Sequence, residues 1–444
     1  MKVLKAGGMD LMSETSQIPV SGRWKRYPSY KQSGVEWLGE VPEGWGKSRL
    51  RFLCSITTGS KNTEDSDPSG QYPFFVRSNT IERLPTFSFD EEAILTAGDG
   101  VGVAKVFHYF NGKFDVHQRV YVLTRFKNIL GNFLFYYFRE NLADDVLKLS
   151  AKSTVDSLRL PMLQNFPVLI PSFSEQTAIV TFLDCETARI DALIEKKERL
   201  ITLLEEKRAA LISHAVTKGL DPDAKMKDSG VEWIGMVPDE WKILQLRRLI
   251  RKFVDYRGKT PEKVESGRLL ITARNIKKGQ IDFSLSEEFM KEEDYDAWMV
   301  RGFPEKGDVL ITTEAPLGEI AQITDTEIAL AQRIILLKAD KTLIFNEFLK
   351  YLLIADSGKG ELWSRATGST AIGIKAEHLR SVLAIVPQIN EQREIIQYIK
   401  TEVTKLENPV NKILNSITIL QEYRSALISA AVTGKIDVRR EAVV

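Results

Sequence analysis

A chain of 444 residues with 43% hydrophobic and 27% charged residues has the make-up of an ordinary soluble globular protein and the length of about three domains. Two cysteines, Cys54 and Cys185, and four scattered histidines exclude a disulfide framework and any CxxC or HExxH zinc site. No apolar run nears the roughly 18 residues of a membrane span, no signal-peptide core follows Lys2 and Lys5, and the expected location is cytoplasmic. The formal net charge of +1 gives no global pull toward nucleic acid, so a phosphate-binding surface would have to come from local segregation of charge.

Residues 1–32 read as an N-terminal extension of poor order. The peptide "SGVEWLGEVPEGW" then opens at Ser33 and returns 196 positions later as "SGVEWIGMVPDEW" from Ser229, with four of thirteen letters changed. "FFVRSNTI" (74–81) lies opposite "LITARNIK" (270–277) at the same offset, and "DVHQRVYVL" (115–123) opposite "ALAQRIILL" (329–337) at 214. From there the offset settles at 216, through "KST" and "GST", "IPSFSEQ" and "VPQINEQ", to "RAALISHAVTKGLD" and "RSALISAAVTGKID". The chain is one architecture written twice, with too few and too long repeats for a solenoid.

Taken in order, 33–170 is a first domain. Short β-rich runs such as "VYVLTRF" alternate with helical stretches such as "ILGNFLFYYFREN" (129–141). Residues 171–220 follow as one long helix: Ser174 is a plausible N-cap, no Pro or Gly interrupts it to Lys218, and Gly219 with Pro222 ends it. Residues 221–385 hold a linker and a second domain of the same plan, with "DVLITT", "RIILLKA" and "LIFNEFLKYLLIAD" (343–356). A second long helix and a tail fill 386–444. Heptad spacing places Leu183, Ile190, Ile194, Ile201, Leu204 and Leu211 on one seam of the first helix. The second carries Ile399, Val403, Leu406, Val410, Ile413, Ile417, Leu420 and Leu427. The expected fold is α+β: two similar α+β domains separated by an antiparallel coiled coil of two long helices, related by a pseudo-twofold, circular internal repeat. A helix of this length is about 65 Å long. Lys197 interrupts the first seam, and Pro409 predicts a kink or break near Asn408 in the second helix.

No catalytic constellation stands out. "RGKTP" (257–261) lacks the first glycine of a phosphate loop, Phe253 standing in its place, and "GDGVG" (98–102) has no βαβ continuation and reads as a tight turn. Charge segregation is the clearer signal: ten Lys and Arg against three acids lie between Lys242 and Lys278, with Phe253 and Tyr256 interleaved. Arg77 with Asn79 and Arg274 with Asn275 occupy related places and have the groups to read base edges bidentately. The candidate DNA-binding residues are Lys61, Arg77, Asn79, Lys152, Ser153, Thr154, Arg257, Lys259, Thr260, Arg274, Asn275, Lys277, Lys278, Ser369, Thr370 and Lys375. The structural alternative, a solvated face paired with acids elsewhere, stays open. Trp37, Trp45, Trp233 and Trp241 are expected to anchor each domain against helix ends, with partner binding as the alternative role.

The doubled SGVEW(L/I)G-x-VP-x-x-W peptide, the variable α+β region, the Pro then Glu-Gln helix start and the closing "ALISxAVT" together resemble the specificity subunit of a Type I restriction-modification system. "YRGKTP" and "ITARNIKKGQID" also resemble a segment of that family's recognition domains. The resemblance implies a non-catalytic chain whose two target recognition domains each read half of a split, asymmetric site in double-stranded DNA. It further implies two methyltransferase subunits that use S-adenosylmethionine on adenine N6, and restriction subunits with ATP and Mg, those cofactors residing in the partners. Two rival readings remain at this stage. One is a coiled-coil scaffold with two non-DNA modules; the other is a DNA-modifying enzyme with a cryptic site of its own.

Overall fold

The computed structural model describes residues 24–100, 103–149, 157–257, 260–368 and 372–441. Its backbone forms two compact units, Met1–Lys197 with Leu414–Val444, and Glu198–Ile413. Each unit therefore takes part of each long helix.

Unit 1 is built on a six-stranded sheet of β1 (Ser55–Thr58), β2 (Tyr72–Phe75), β3 (Ile81–Leu84), β4 (Phe89–Ala97), β5 (Phe107–Val116) and β6 (Val120–Thr124), in the order β1-β6-β4-β5-β2-β3. All neighbours are antiparallel except β2 and β5, which run parallel with Phe74 opposite Asp115. β-branched and aromatic residues dominate these strands, and the second half of β4 is buried on both faces. Helix α1 (Gly131–Leu149) covers the sheet: Phe133, Leu134, Tyr137 and Phe138 are fully buried in the same core as Leu163, Phe166 and Leu183.

Helix α2 (Phe173–Lys218) is capped two residues earlier than expected. Ser172, not Ser174, closes a capping box, its Oγ accepting from Glu175 N while Ser172 N donates to Glu175 Oε2 at 3.2 Å. Gly219, at φ +78°, ends the helix as expected.

Unit 2 repeats the plan with β7 (Ile250–Asp255), β8 (Lys263–Val264), β9 (Arg268–Ile271), β10 (Phe289–Met290), β11 (Val309–Thr312), β12 (Ile320–Gln322), β13 (Ile328–Leu330) and β14 (Ile334–Ala339). The order β7-β14-β11-β12 reproduces β1-β6-β4-β5, and β9 pairs parallel with β13 as β2 does with β5. The difference is a break. The long strand β5 becomes two strands, β12 and β13, because Asp325 Oδ1 accepts from Glu327 N and turns the chain between them, so unit 2 holds two four-stranded sheets. Helices α3 (Asn346–Ile354) and α4 (Asp356–Ser364) stand where α1 stands in unit 1.

Helix α5 (Ile389–Val432) continues through Pro409, so of the kink or break expected near Asn408 the break is absent. Pro409 and Lys405 are both exposed, so the carbonyl that a proline leaves without its donor is not buried in the core. Within unit 1 the helices run antiparallel, since Glu175 meets Arg439 and Asp191 meets Arg424. Within unit 2 Arg208 meets Glu407 and Gly219 lies beside Glu391, again antiparallel. Every expected seam residue is buried or half-buried: Leu183, Ile190, Ile194, Ile417, Leu420 and Leu427 in unit 1, and Ile201, Leu204, Leu211, Ile399, Val403, Leu406, Val410 and Ile413 in unit 2. Each fully buried member is worth roughly 1.5–3 kcal/mol.

Candidate nucleic-acid interface

Two kinds of duplicated contact organise each unit, one that braces the helix ends and one that gathers polar side chains at the strand ends. The doubled peptide makes the first. Each copy forms a small hairpin, Ser33 N bonding Gly39 O at 2.9 Å and Ser229 N bonding Gly235 O at 3.0 Å. Its second tryptophan then inserts between the start of one long helix and the end of the other. Trp45 is buried, its Nε1 donates to Glu175 at the start of α2 at 3.3 Å, and it lies against Gly434 after α5. Trp241 donates to Glu391 at the start of α5 and lies against Gly219 after α2. Gly434 needs its φ of +72° and its missing side chain, since a Cβ there would collide with Pro42 and Trp45.

The first tryptophan of each copy holds the recognition domain. Trp37 Nε1 donates to Asp145 of α1 at 3.0 Å, and Trp233 Nε1 to the buried Glu361 of α4 at 3.2 Å. The Gln of each "EQ" pair is fully buried and fixes the loop before the domain's helix. Gln176 Oε1 accepts from Leu130 N at 2.7 Å while its Nε2 donates to Asn128 O and Pro171 O. Gln392 does the same to Phe345 N, Leu343 O and Pro387 O. All four tryptophans are thus anchors, and the repeated letters are bracing.

The second set lies at the strand ends. In unit 1 the turn after β4 carries Asp99, the turn between β5 and β6 carries Gln118 and Arg119, and the turn after β2 carries Arg77. Arg77 NH1 reaches Asp99 Oδ1 at 2.9 Å and Arg119 NH1 reaches Oδ2 at 2.5 Å. Burial pushes the Asp99 carboxyl up, but the hydrogen bonds from Arg119 and Arg77 outweigh it and hold it below the usual carboxylate range. His117 is nearly buried and its Nδ1 accepts from Arg119 N at 3.0 Å; burial, then the charge of Arg77, pushes its pKa down, which keeps the ring neutral. Gln118 Nε2 donates to Asn62 Oδ1, tying in the loop that follows β1, and Lys61 sits in that loop with its carbonyl accepting from Gln118 N at 2.8 Å. Asn79 lies exposed in the turn Ser78–Thr80.

Unit 2 repeats this arrangement with other letters. Glu314 follows β11, Gln332 and Arg333 precede β14, and Arg333 Nε pairs with Glu314 at 3.2 Å. Asp99 bridges Ser157 as Glu314 bridges Gly373, the positions one repeat apart. Thr260 Oγ1 donates to Gln332 Oε1 at 3.4 Å, and Thr260, Arg274, Gln332 and Arg333 line one cleft of ≈ 260 Å³. Arg257 is fixed by Asp255 at 2.7 Å and reaches Ile374 O, while Lys277 and Lys375 are exposed.

Several expected contacts are corrected. Asn275 is fully buried: its Oδ1 accepts from Thr272 N and Oγ1, and its Nδ2 donates to Asp282 O and Ser286 O. With its bonds made inside, it shapes the turn that presents Arg274 and cannot reach a base. Lys278 is exposed and pairs with Glu205 of α2 at 2.7 Å. Within the basic stretch Lys263 pairs with Glu288 and Arg268 with Glu292 and Glu327, while Arg247, Arg248, Arg251, Lys252, Arg274 and Lys277 are exposed. Lys152, Ser153, Thr154, Lys259, Ser369 and Thr370 lie outside the described residues. The sequence reading passed over Asp99, Gln118, Arg119, Glu314, Gln332 and Arg333. The signal was present in the doubled "QR" of 118–119 and 332–333, which served only to set the repeat's register.

No group of acids, histidines or cysteines able to hold a metal occurs among the described residues, and no helix among them is long and apolar enough to cross a membrane. Residues 42–203 and 262–418 match the family described as Type I restriction modification DNA specificity domain. The chain is 28% identical over 191 residues to the EcoDI specificity subunit of Escherichia coli, a match covering 43% of this chain and 42% of that protein. It is 23% identical over 420 residues to the MjaVIII specificity subunit of Methanocaldococcus jannaschii, covering 90% of this chain and 94% of the relative. A solved structure concerned with complex assembly and conformational transition of the type I R-M system superposes with a TM-score of 0.63 at 14% identity, over 88% of this chain and 98% of its own, which establishes the likeness of fold. The family match extends over both units and well over half of the sequence, and the chain belongs to the Type I restriction-modification DNA specificity family, whose part is sequence recognition and not catalysis.

Proposed function

We propose that this chain recognises a split DNA sequence, each unit reading one half, and brings adenine-N6 methyltransferase subunits, and restriction subunits where they join, to that site. The observation that carries the reading is the duplicated Arg–acid pair, Arg119 with Asp99 and Arg333 with Glu314, set at equivalent strand ends in two units whose surrounding side chains differ. Two equivalent readers with different side chains fit two different half-sites. The long helices α2 and α5 would set the distance between those half-sites, and one methyltransferase per half-site would flip its target adenine out of the stack. S-adenosylmethionine, ATP and Mg would reside in those partners.

The test is to co-express the chain with its neighbouring methyltransferase gene in a host lacking adenine methylation and to map modified adenines at base resolution. The expected result is one motif of two defined halves around an undefined spacer, with one modified adenine in each half. Adenine methylation at a single continuous motif, or none in the presence of a folded complex, would overturn the reading.

A further inference from the structure

We propose that Arg77 and Arg119, held on the one carboxylate of Asp99, are guanine readers, so that the half-site read by unit 1 contains a G·C pair contacted on its major-groove edge. The inference rests on the reading of the chain as a DNA specificity subunit and adds to it the base that one unit selects.

Three turns from distant parts of the sequence bring the group together, with Arg77 at 45% and Arg119 at 61% side-chain exposure over a carboxylate at 20%. A carboxylate between two guanidiniums is a poor phosphate grip, because its own charge repels the anion and it occupies donors that the phosphate would need. It suits a base reader. A free arginine is rich in rotamers, and a fixed acid that restricts it lowers the ordering cost before DNA arrives. Each guanidinium has five N–H donors and gives Asp99 only part of them, and both side chains are exposed to solvent.

What those donors select follows from the edges of the bases. Guanine offers two acceptors, N7 and O6, side by side in the major groove, whereas adenine sets an amino donor beside its N7 and cytosine presents a donor. A guanidinium is donor only, so it pairs with guanine at two points, meets a donor on adenine and cytosine, and finds only the single O4 acceptor beside a methyl group on thymine. The turn around Arg119 is itself braced: Gly98 N bonds Arg119 O at 2.8 Å and Arg119 N bonds His117. Unit 2 has one arginine on Glu314, with Arg257 on a separate acid, Asp255, so the two units carry different donor patterns and need not select the same bases.

The experiment compares the methylated motif of the complex formed by the wild-type chain with those of Arg77→Gln, Arg119→Gln and Arg333→Gln. Arg77→Gln and Arg119→Gln are expected to relax G·C positions in the same half-site, preference for G over the other bases falling about 5- to 150-fold, with the other half unchanged. Arg333→Gln is expected to alter only that other half. Should either unit 1 variant fail to fold, as judged by thermal melting, Asp99→Asn keeps both arginines and is expected to weaken the same G·C preference. A wild-type half-site with no G·C pair at the affected positions, an equal loss of methylation at all sites, or a folded Asp99→Asn chain with an unchanged motif would overturn the inference. A wild-type complex with no split motif would instead overturn the reading beneath it.

Discussion

The indole Nε1 of Trp241 donates to both carboxylate oxygens of Glu391, at 2.9 and 3.0 Å, while the ring itself is buried. The peptide that opens the second repeat is thereby locked to the helix that closes it, and Trp45 with Glu175 is the same lock in unit 1. Replacing Trp241 by Ala removes the packing and leaves Glu391 without its donor, a loss of about 3–5 kcal/mol. Urea unfolding followed by circular dichroism should show it, and Trp45→Ala should behave alike. A change below about 1 kcal/mol would mean that the peptide does not brace the helices.

Arg274 and Asn275 are neighbours with opposite roles. Asn275→Ala leaves buried backbone groups of the turn unpaired, each costing about 1–3 kcal/mol, and should lower the melting temperature of the chain. Arg274→Ala should leave the melting temperature within the error of a surface change while weakening DNA binding by the assembled complex. Equal melting temperatures for the two variants would contradict this division.

His117 supplies a pH dependence. Burial and the charge of Arg77 set its folded pKa below the ordinary value of about 6.5, so the folded chain binds fewer protons than the unfolded one. The stability this gives is fully present above about pH 6.5, the unfolded value, and is lost as the pH falls from there through the lower folded value. The chain should melt lower at pH 5.5 than at 7.5, and His117→Asn should narrow the gap; a gap of the same size in the variant would remove His117 from the account.

Helix length offers a further check. Adding seven residues after Leu204 and after Leu420 lengthens both helices by about 10 Å. The undefined spacer of the methylated motif should grow by about 3 base pairs with both halves intact. An unchanged spacer in a folded complex would show that the helices do not act as the ruler.

Much of this was legible in the sequence, and what was not has identifiable causes. The long helices were legible because heptad apolar spacing runs over some forty residues and Gly219 ends the first; Pro409 does not interrupt the second, where it lies on an exposed face. The doubled peptide announced a boundary, but its contacts with Glu175 and Glu391 lie 130 and 150 positions away and no spacing reveals them. Asn275 looked like a base reader because polarity alone does not tell a turn-forming amide from an exposed one. Arg119 was passed over for a related reason: its acid, Asp99, lies 20 residues upstream on another turn, and only the sheet brings the two together.

The central claim is that each unit reads its own half-site. Leu50–Asn165 and Leu246–Ser381 are equivalent segments, each lying between a pair of bonded strands, Gly46–Arg49 with Pro167–Ile170 and Lys242–Gln245 with Leu383–Val386. The most direct measurement is the methylated motif of a chain in which 246–381 is replaced by a second copy of 50–165. The account predicts a motif containing the unit 1 half-site twice and the unit 2 half-site not at all. A motif that keeps the original second half would contradict it.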